Sequence, residues 1–377
     1  MKISALYLRD FRNFEELNLN LDDTINIFLG RNAQGKTNIL EAVNFSALGT
    51  ARVAKDSELV RWTNDAALIR INFSKLDVSH VLAVEIPAHS GRRKILLDGN
   101  SIKLRDCIGK LNAVMFSPED LFIFRNSPAS RRKFLNITLA QTAPIYFSEL
   151  ATYNRLIEQR NNLLKKIREG TAAQNGLEIW NEQLSTAAAK ITAKRITAVE
   201  NLNILADEMQ KKISAQSENL LIVYEIHDLK NVDVPQNFNC DYLQSWYYKI
   251  FSSRNFIDIA RGSTSFGPHL DDLNFFINGK ELRLYGSQGQ LRTTALALKL
   301  SEIAMIKSAA GEYPILLLDD VMSELDASRR EKLLDFLLTQ KIQTLITATE
   351  RAYFPAQICG KIFQVENGAV HFEEEIS

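Results

Sequence analysis

The chain has 377 residues, 46% of them hydrophobic and 24% charged, a balance typical of a globular protein that excludes a fibrous or disordered chain. At ~150 residues per domain this length allows two or three domains. Forty-five basic residues offset 45 acidic ones, so any nucleic-acid surface must be a local patch and not a property of the whole field. No apolar run approaches the ~18–20 residues that span a bilayer, and the start of the chain, Met1 to Phe14, lacks the apolar core of a secretory signal. Cys107, Cys240 and Cys359 are few and far apart, which argues against a disulfide framework or a zinc site and suits a reducing cytoplasm.

Along the chain, Ile3–Leu6 and Leu17–Leu19 alternate as strands do, and Ile25–Leu29 is an apolar run that stops at Gly30. A helix is expected from about Lys36 to Phe45. Residues 68–86 and 94–103 alternate like hairpin strands, with a turn at Asp98-Gly99-Asn100. From Ser127-Pro128, a helix cap followed by proline in the first turn, the texture becomes helical. Pro144 opens a helix with Tyr146, Leu150, Tyr153, Ile157, Leu164 and Ile167 at three-to-four spacing, interrupted by Arg160. Gly170 to Gly176 reads as a turn, and Leu177, Leu184, Ile191, Ala198 and Leu205 then recur every seven residues. Two such helices form an antiparallel pair, either a projecting arm or an ordinary helical subdomain. Near residue 262 strands and helices alternate again, including Ile315–Leu318 and Thr344–Thr347. The expected architecture is an α/β domain split by a helical insertion (lobe II), with boundaries at 1–112, 113–254 and 255–377.

Gly30-Arg31-Asn32-Ala33-Gln34-Gly35-Lys36-Thr37 matches G-x-x-x-x-G-K-[ST] at every position. Such a loop turns its N–H groups toward a phosphate chain at a helix N-terminus. Lys36 is expected to neutralise the β- and γ-phosphates, and Thr37 to bind Mg²⁺ through its hydroxyl. The aliphatic strand before Asp319-Asp320 would deliver Asp319 to the metal and Asp320 to the attacking water. Ser287-Gln288-Gly289-Gln290 opens a helix and offers a second anion site. Ser323-Glu324-Leu325-Asp326 follows the paired aspartates. The order of phosphate loop, helical insertion, Ser-Gln-Gly-Gln and Asp-Asp resembles the ABC/SMC-type P-loop ATPase head. In that class the serine-glycine motif of one subunit closes over ATP held by another, which implies dimerisation around ATP.

Further segments narrow the resemblance. They are Leu8-Arg9-Asp10-Phe11-Arg12-Asn13-Phe14, Phe116-Ser117-Pro118-Glu119-Asp120-Leu121 and Ser127-Pro128 before Arg131-Arg132-Lys133-Phe134-Leu135. Gln159-Arg160-Asn161 and Gly267-Pro268-His269 with Asp271-Asp272 complete the set. Over nearly its full length the chain resembles the RecF family. That resemblance implies an ATP-dependent DNA-binding dimer of recombinational repair and replication. It also implies RecR and RecO as partners and support of RecA loading at gaps and of the SOS response after DNA damage.

The chain departs from the pattern in places. Gln290-Leu291-Arg292 stands where the family has Gln-Gln-Arg, and Leu270 where it has arginine. Asp320 and the Thr347–Thr349 segment occupy the places where many ABC ATPases carry a glutamate and a histidine. A shorter carboxylate and a non-titrating switch imply slow hydrolysis used as a timer; together with the family resemblance, the expectation is a weak, DNA-stimulated ATPase. A scaffold that binds ATP with negligible hydrolysis is the alternative. A transport-type ABC subunit fits less well, because Gly30 and Ser287 lie 257 positions apart. For DNA, Arg131, Arg132 and Lys133 crowd the first turn of a helix, where cations oppose the dipole unless an anion such as DNA phosphate lies nearby; an internal ion-pair cluster is the competing reading. Arg160, Lys165, Lys166 and Arg168 with Lys190, Lys194 and Arg195 form a second candidate surface.

Overall fold

Alternation of buried and exposed residues makes Lys2–Phe11 and Phe14–Asn20 an antiparallel pair, β1 and β2. The uniformly buried Ile25–Leu29 is β3, and it leads through residues 30–35 into α1, Lys36–Leu48. β4 (Ala66–Lys75), β5 (Val78–Pro87), β6 (Lys94–Leu97) and β7 (Asn100–Ile102) extend the first pair into an antiparallel sheet of order β2-β1-β4-β5-β6-β7. The short helix α2 (Leu104–Cys107) and strand β8 (Ala113–Phe116) follow. This computed structural model describes residues 1–49, 55–89, 91–229, 238–355 and 359–376.

The chain then builds a second unit, Ile123–Thr294. It comprises α3 (Pro128–Thr142), α4 (Pro144–Arg168), α5 (Leu177–Ile213), β9 (Leu220–Glu225), α6 (Cys240–Ser253), α7 (Asn255–Arg261), β10 (Asp272–Ile277), β11 (Lys280–Glu281) and α8 (Leu282–Tyr285). α4 and α5 are the two helices expected from periodicity. They do not project as a free arm. Buried residues run the whole length of α5, from Leu177 to Ile213, and α6 and β9 pack along it. At the hairpin end Leu164, Ile167 and Leu177 form a cluster with Leu163, Ala172 and Ile259, so α7 holds the tip down.

α9 (Gln288–Ala310) returns the chain to the first unit, Met1–Phe122 with Ala295–Ser377. There β12 (Ile315–Asp319), α10 (Ala327–Gln340), β13 (Thr344–Ala348), β14 (Gly360–Glu366) and β15 (Ala369–Ile376) complete a second sheet, β15-β14-β3-β13-β12-β8. Its core strands β3, β13, β12 and β8 are parallel, and β3, β12 and β13 are buried throughout, as unbroken apolar runs in a covered parallel sheet should be. These two boundaries differ from the expected 112/113 and 254/255. Pairing with β12 keeps β8 in the sheet of the first unit, and pairing with β9 keeps β10 in the helical one.

The helical unit corrects the expected DNA surface. Arg131 is 1% exposed. It donates to both carboxylate oxygens of Asp272 at 2.7 Å and to the carbonyls of Ile123, Phe124 and Asn126. Arg132 is half-buried and donates to the Asp271 carbonyl at 2.7 Å, leaving Lys133 exposed. The anion that offsets cations at the start of α3 is therefore an internal carboxylate for Arg131. Arg160, fully buried, binds Asp258, Thr264, Asn181 and Asn255. Arg195, 2% exposed, reaches Tyr146, Asn136 and the Pro268 carbonyl. Lys165, Lys166, Arg168 and Lys190 remain exposed, and Lys194 pairs with Glu149.

Beside this network Tyr153 donates to His269 Nδ1 at 2.6 Å, and His269 Nε2 lies 3.3 Å from the Thr264 carbonyl. These partners select the tautomer protonated at Nε2. Burial holds His269 down at about 4. An unfolded chain protonates this histidine near 6.5, so its contribution is present above that pH and is lost as pH falls through the folded value. His269→Gln should therefore destabilise most at pH 7. Relative to wild type the loss should shrink by up to about 3 kcal/mol toward pH 4, read from urea midpoints at both pH values; a pH-independent difference contradicts the neutral-histidine account. Arg131→Ala should cost about 3–5 kcal/mol by stranding Asp272, against less than about 0.5 kcal/mol for Lys133→Ala. Equal urea midpoints for these two variants would show that the buried pair is not structural.

Candidate nucleotide site

The site lies at the carboxyl ends of the parallel strands, where open α/β sheets bind ligands. β3 ends at Leu29, and the chain turns through residues 30–35 before α1 begins after Gly35, at φ 110. Gly30 cannot carry a side chain, because a Cβ there would lie 2.3 Å from the Val365 carbonyl oxygen. Arg31, Asn32 and Ala33 are exposed, and Ala33 adopts φ 64. Lys36 Nζ donates to the carbonyls of Gly30 at 2.6 Å and Arg31 at 2.8 Å, lying across the loop.

Parallel register places Asp319 of β12 beside Thr347 of β13, and β13 beside β3. Two hydroxyls converge on Asp319 Oδ1: Thr37 donates at 2.8 Å and Thr347 at 3.0 Å. Thr347 Oγ1 also accepts the Asp320 N–H at 2.9 Å. Asp320 adopts φ 53, and its Oδ1 is buried with no hydrogen-bond partner, an expensive arrangement for a carboxylate. Burial raises the Asp320 carboxyl above its ordinary range, with Lys36 opposing and Asp319 and Glu324 adding. Burial likewise lowers the Lys36 ammonium, which Asp320 and Asp319 partly restore.

These groups fit a triphosphate with a hard cation. The lysine is desolvated and ready for anionic oxygens, the hydroxyl and carboxylate of Thr37 and Asp319 are the oxygen donors that Mg²⁺ accepts, and Asp320 has an unused acceptor. Among the described residues no group of three or more His, Cys, Asp and Glu side chains could form a metal cage. A Mg²⁺ would accordingly be held by one or two protein oxygens together with phosphates.

The remaining motif residues are placed as follows. Ser287 Oγ accepts the Gln290 N–H at 3.2 Å while Gln290 Oε1 accepts the Ser287 N–H at 3.0 Å. This reciprocal capping box opens α9; it belongs to the helical unit, and Ser287 and Gln288 are exposed. Ser323 donates to the Asp320 carbonyl at 2.8 Å, Leu325 is buried, and Asp326 caps α10 through the Arg329 N–H. In the sequence the Thr347 segment stands out only as the place where a histidine is missing. Its role in bridging the two aspartates was available from one signal, a threonine ending the strand that follows the Asp-Asp strand.

Comparison with known proteins shows the family and the fold. Residues 2–371 match the family described as RecF/RecN/SMC N terminal domain. The DNA replication and repair protein RecF of Halalkalibacterium halodurans is 39% identical over 374 residues, covering 98% of this chain and 99% of that protein. A solved structure of the recombination mediator protein RecF with ATP in the RecFOR pathway superposes with a TM-score of 0.90 at 32% identity, covering 99% of this chain and 98% of that one. An Smc head bound to the C-terminal winged-helix domain of ScpA, at 15% identity and a TM-score of 0.55 over 99% of this chain and 97% of that one, shares the fold. The fold is that of the ABC/SMC-type ATPase head, no helix among the described residues is long and apolar enough to cross a membrane, and the chain belongs to the RecF family.

Proposed function

We propose that this protein binds ATP with Mg²⁺ and, dimerising around the nucleotide, binds DNA in recombinational repair and replication. The observation that carries the reading is the meeting of Thr37, Asp319 and Thr347 at one carboxylate oxygen, beside Lys36 and Asp320, whose Oδ1 has no hydrogen-bond partner. Each group then has a task. Lys36 exchanges two loop carbonyls for phosphate oxygens. Thr37 and Asp319 hold Mg²⁺, which when bound neutralises developing charge on the phosphates. Asp320, fixed through its N–H by Thr347, orients a water and takes its proton. A short carboxylate on a strained backbone position suits slow hydrolysis. Ser287 to Gln290 supply the second surface in trans, and Ser323 to Asp326 the segment beside it.

The relatives named DNA replication and repair protein RecF, and the RecFOR pathway of the solved neighbours, support RecR and RecO as partners in RecA loading at gaps and the SOS response. With Arg131, Arg160 and Arg195 internal, DNA contact falls to the exposed Lys133, Lys165, Lys166, Arg168 and Lys190.

Light scattering with and without MgATP tests the nucleotide step. Wild type should dimerise with MgATP, Asp320→Asn should hold the dimer longer, and Lys36→Ala should need ~10–100-fold more nucleotide for losing a charged hydrogen bond. An oligomeric state indifferent to MgATP in all three rejects the sandwich. For DNA, replacing Lys133, Lys165 and Lys166 with glutamate should weaken binding and flatten its dependence on salt. Unchanged affinity at matched ionic strength removes these lysines from the interface.

A further inference from the structure

Gln34 sits in the phosphate loop between two residues of positive φ, Ala33 and Gly35, and is gripped by two turns distant in sequence. Its carbonyl accepts Asn13 Nδ2 at 3.1 Å, from the β1–β2 turn, and the Gly368 N–H at 3.3 Å, from the β14–β15 turn. Its side-chain Oε1 accepts the Asn367 N–H at 2.6 Å. Asn13 Oδ1 in turn accepts Asn38 Nδ2 at 2.8 Å, tying the same turn to the first turn of α1. The C-terminal hairpin meets the loop elsewhere too, since the Val365 carbonyl backs Gly30 and Phe363 stacks on Phe28 at 5.2 Å.

This grip has a directional consequence. In a trans peptide the carbonyl and the following N–H point opposite ways. Two donors that hold the Gln34 carbonyl toward the hairpins therefore aim the Gly35 N–H away from them. The spacing between the two turns is also fixed. Gly368 has φ +78, and a Cβ there would stand 2.8 Å from the Asn13 carbonyl oxygen. Only glycine lets the two turns close around Gln34.

We infer that Asn13, Gln34 and the Asn367–Gly368 turn are positioning elements of the nucleotide site, and that the C-terminal hairpin responds to occupancy of the phosphate loop. The inference rests on the ATP reading above. Linkage makes the coupling reciprocal: if the hairpin holds the loop in its binding shape, nucleotide must in turn stabilise the hairpin. The hairpin lies some 330 residues from the loop along the chain, so its response is separable from any change within the loop's own segment.

Two measurements on the full chain test this, calorimetric titration with MgATP and hydrogen–deuterium exchange of peptides spanning residues 363–371. MgATP should slow exchange in that segment of the wild type. Gln34→Met keeps the length but removes the Oε1 acceptor; it should bind MgATP about 3–10-fold more weakly, the loss of one hydrogen bond, and transmit less protection. Gly368→Ala should act in the same direction, whereas His371→Ala, exposed on the same hairpin, should bind as wild type does. A wild type that binds MgATP without any change in the hairpin, or a Gln34→Met variant that binds as tightly as wild type, overturns the inference while leaving the ATP reading intact. A wild type that fails to bind MgATP overturns both.

Discussion

One carboxylate oxygen organises the first unit. Asp319 Oδ1 accepts from a hydroxyl at the start of α1 and from another at the end of β13, so three chain segments with 282 positions between the first and second are tied at one atom. A hydrogen bond to an ionised acceptor is roughly twice as strong as a neutral one. Here it is available only because the parallel sheet fixes which residues are neighbours. β12 pairs with β13 so that Asp319 faces Thr347, and β13 pairs with β3 so that the strand feeding the phosphate loop is one position away. The polar site is thus set by apolar register: a one-residue slip of β12 would turn the aspartate to the wrong face of the sheet.

The same register explains why Asp320 is exceptional. The residue after Asp319 must leave the strand at once, and it does so at φ 53 with its N–H on Thr347. That leaves a buried oxygen without a donor, in a position where burial already disfavours its charge. Structures tolerate such strain where surrounding contacts over-determine it, and it concentrates at functional sites. Thr347 supplies that determination by bonding both aspartates. A threonine hydroxyl has no proton to exchange in the physiological range, so the donor of this bridge is not a titrating group.

How much of this was legible in the sequence depended on the range of the physics involved. The phosphate loop, the strand before it and the helix after it are local, and their residues carry the pattern by themselves. The Asp319-Asp320 pair was legible because an aliphatic run marks a buried strand and the chain order supplies the context. The cations of the helical unit were not. Arg131 and Lys133 are two positions apart and look alike in a sequence, yet one is buried against Asp272, 141 residues away, and the other faces solvent. The seven-residue spacing of α5 likewise announced a buried stripe without saying what covers it, and α6 and β9 supply the cover that an arm would lack.

The three buried arginines change what the helical unit can do. Each is fixed by several acceptors at once. Arg160 alone binds Asp258, Thr264, Asn181 and Asn255, which belong to α5, α7 and the segment after α7. A planar guanidinium with five donors suits such a junction, whereas a lysine could satisfy fewer partners in fixed directions. Asp258 returns the interaction by accepting the Ser265 N–H at 3.0 Å and its hydroxyl at 2.6 Å. Breaking one member of such a network strands the others in a low dielectric, so the helical unit resists piecemeal rearrangement.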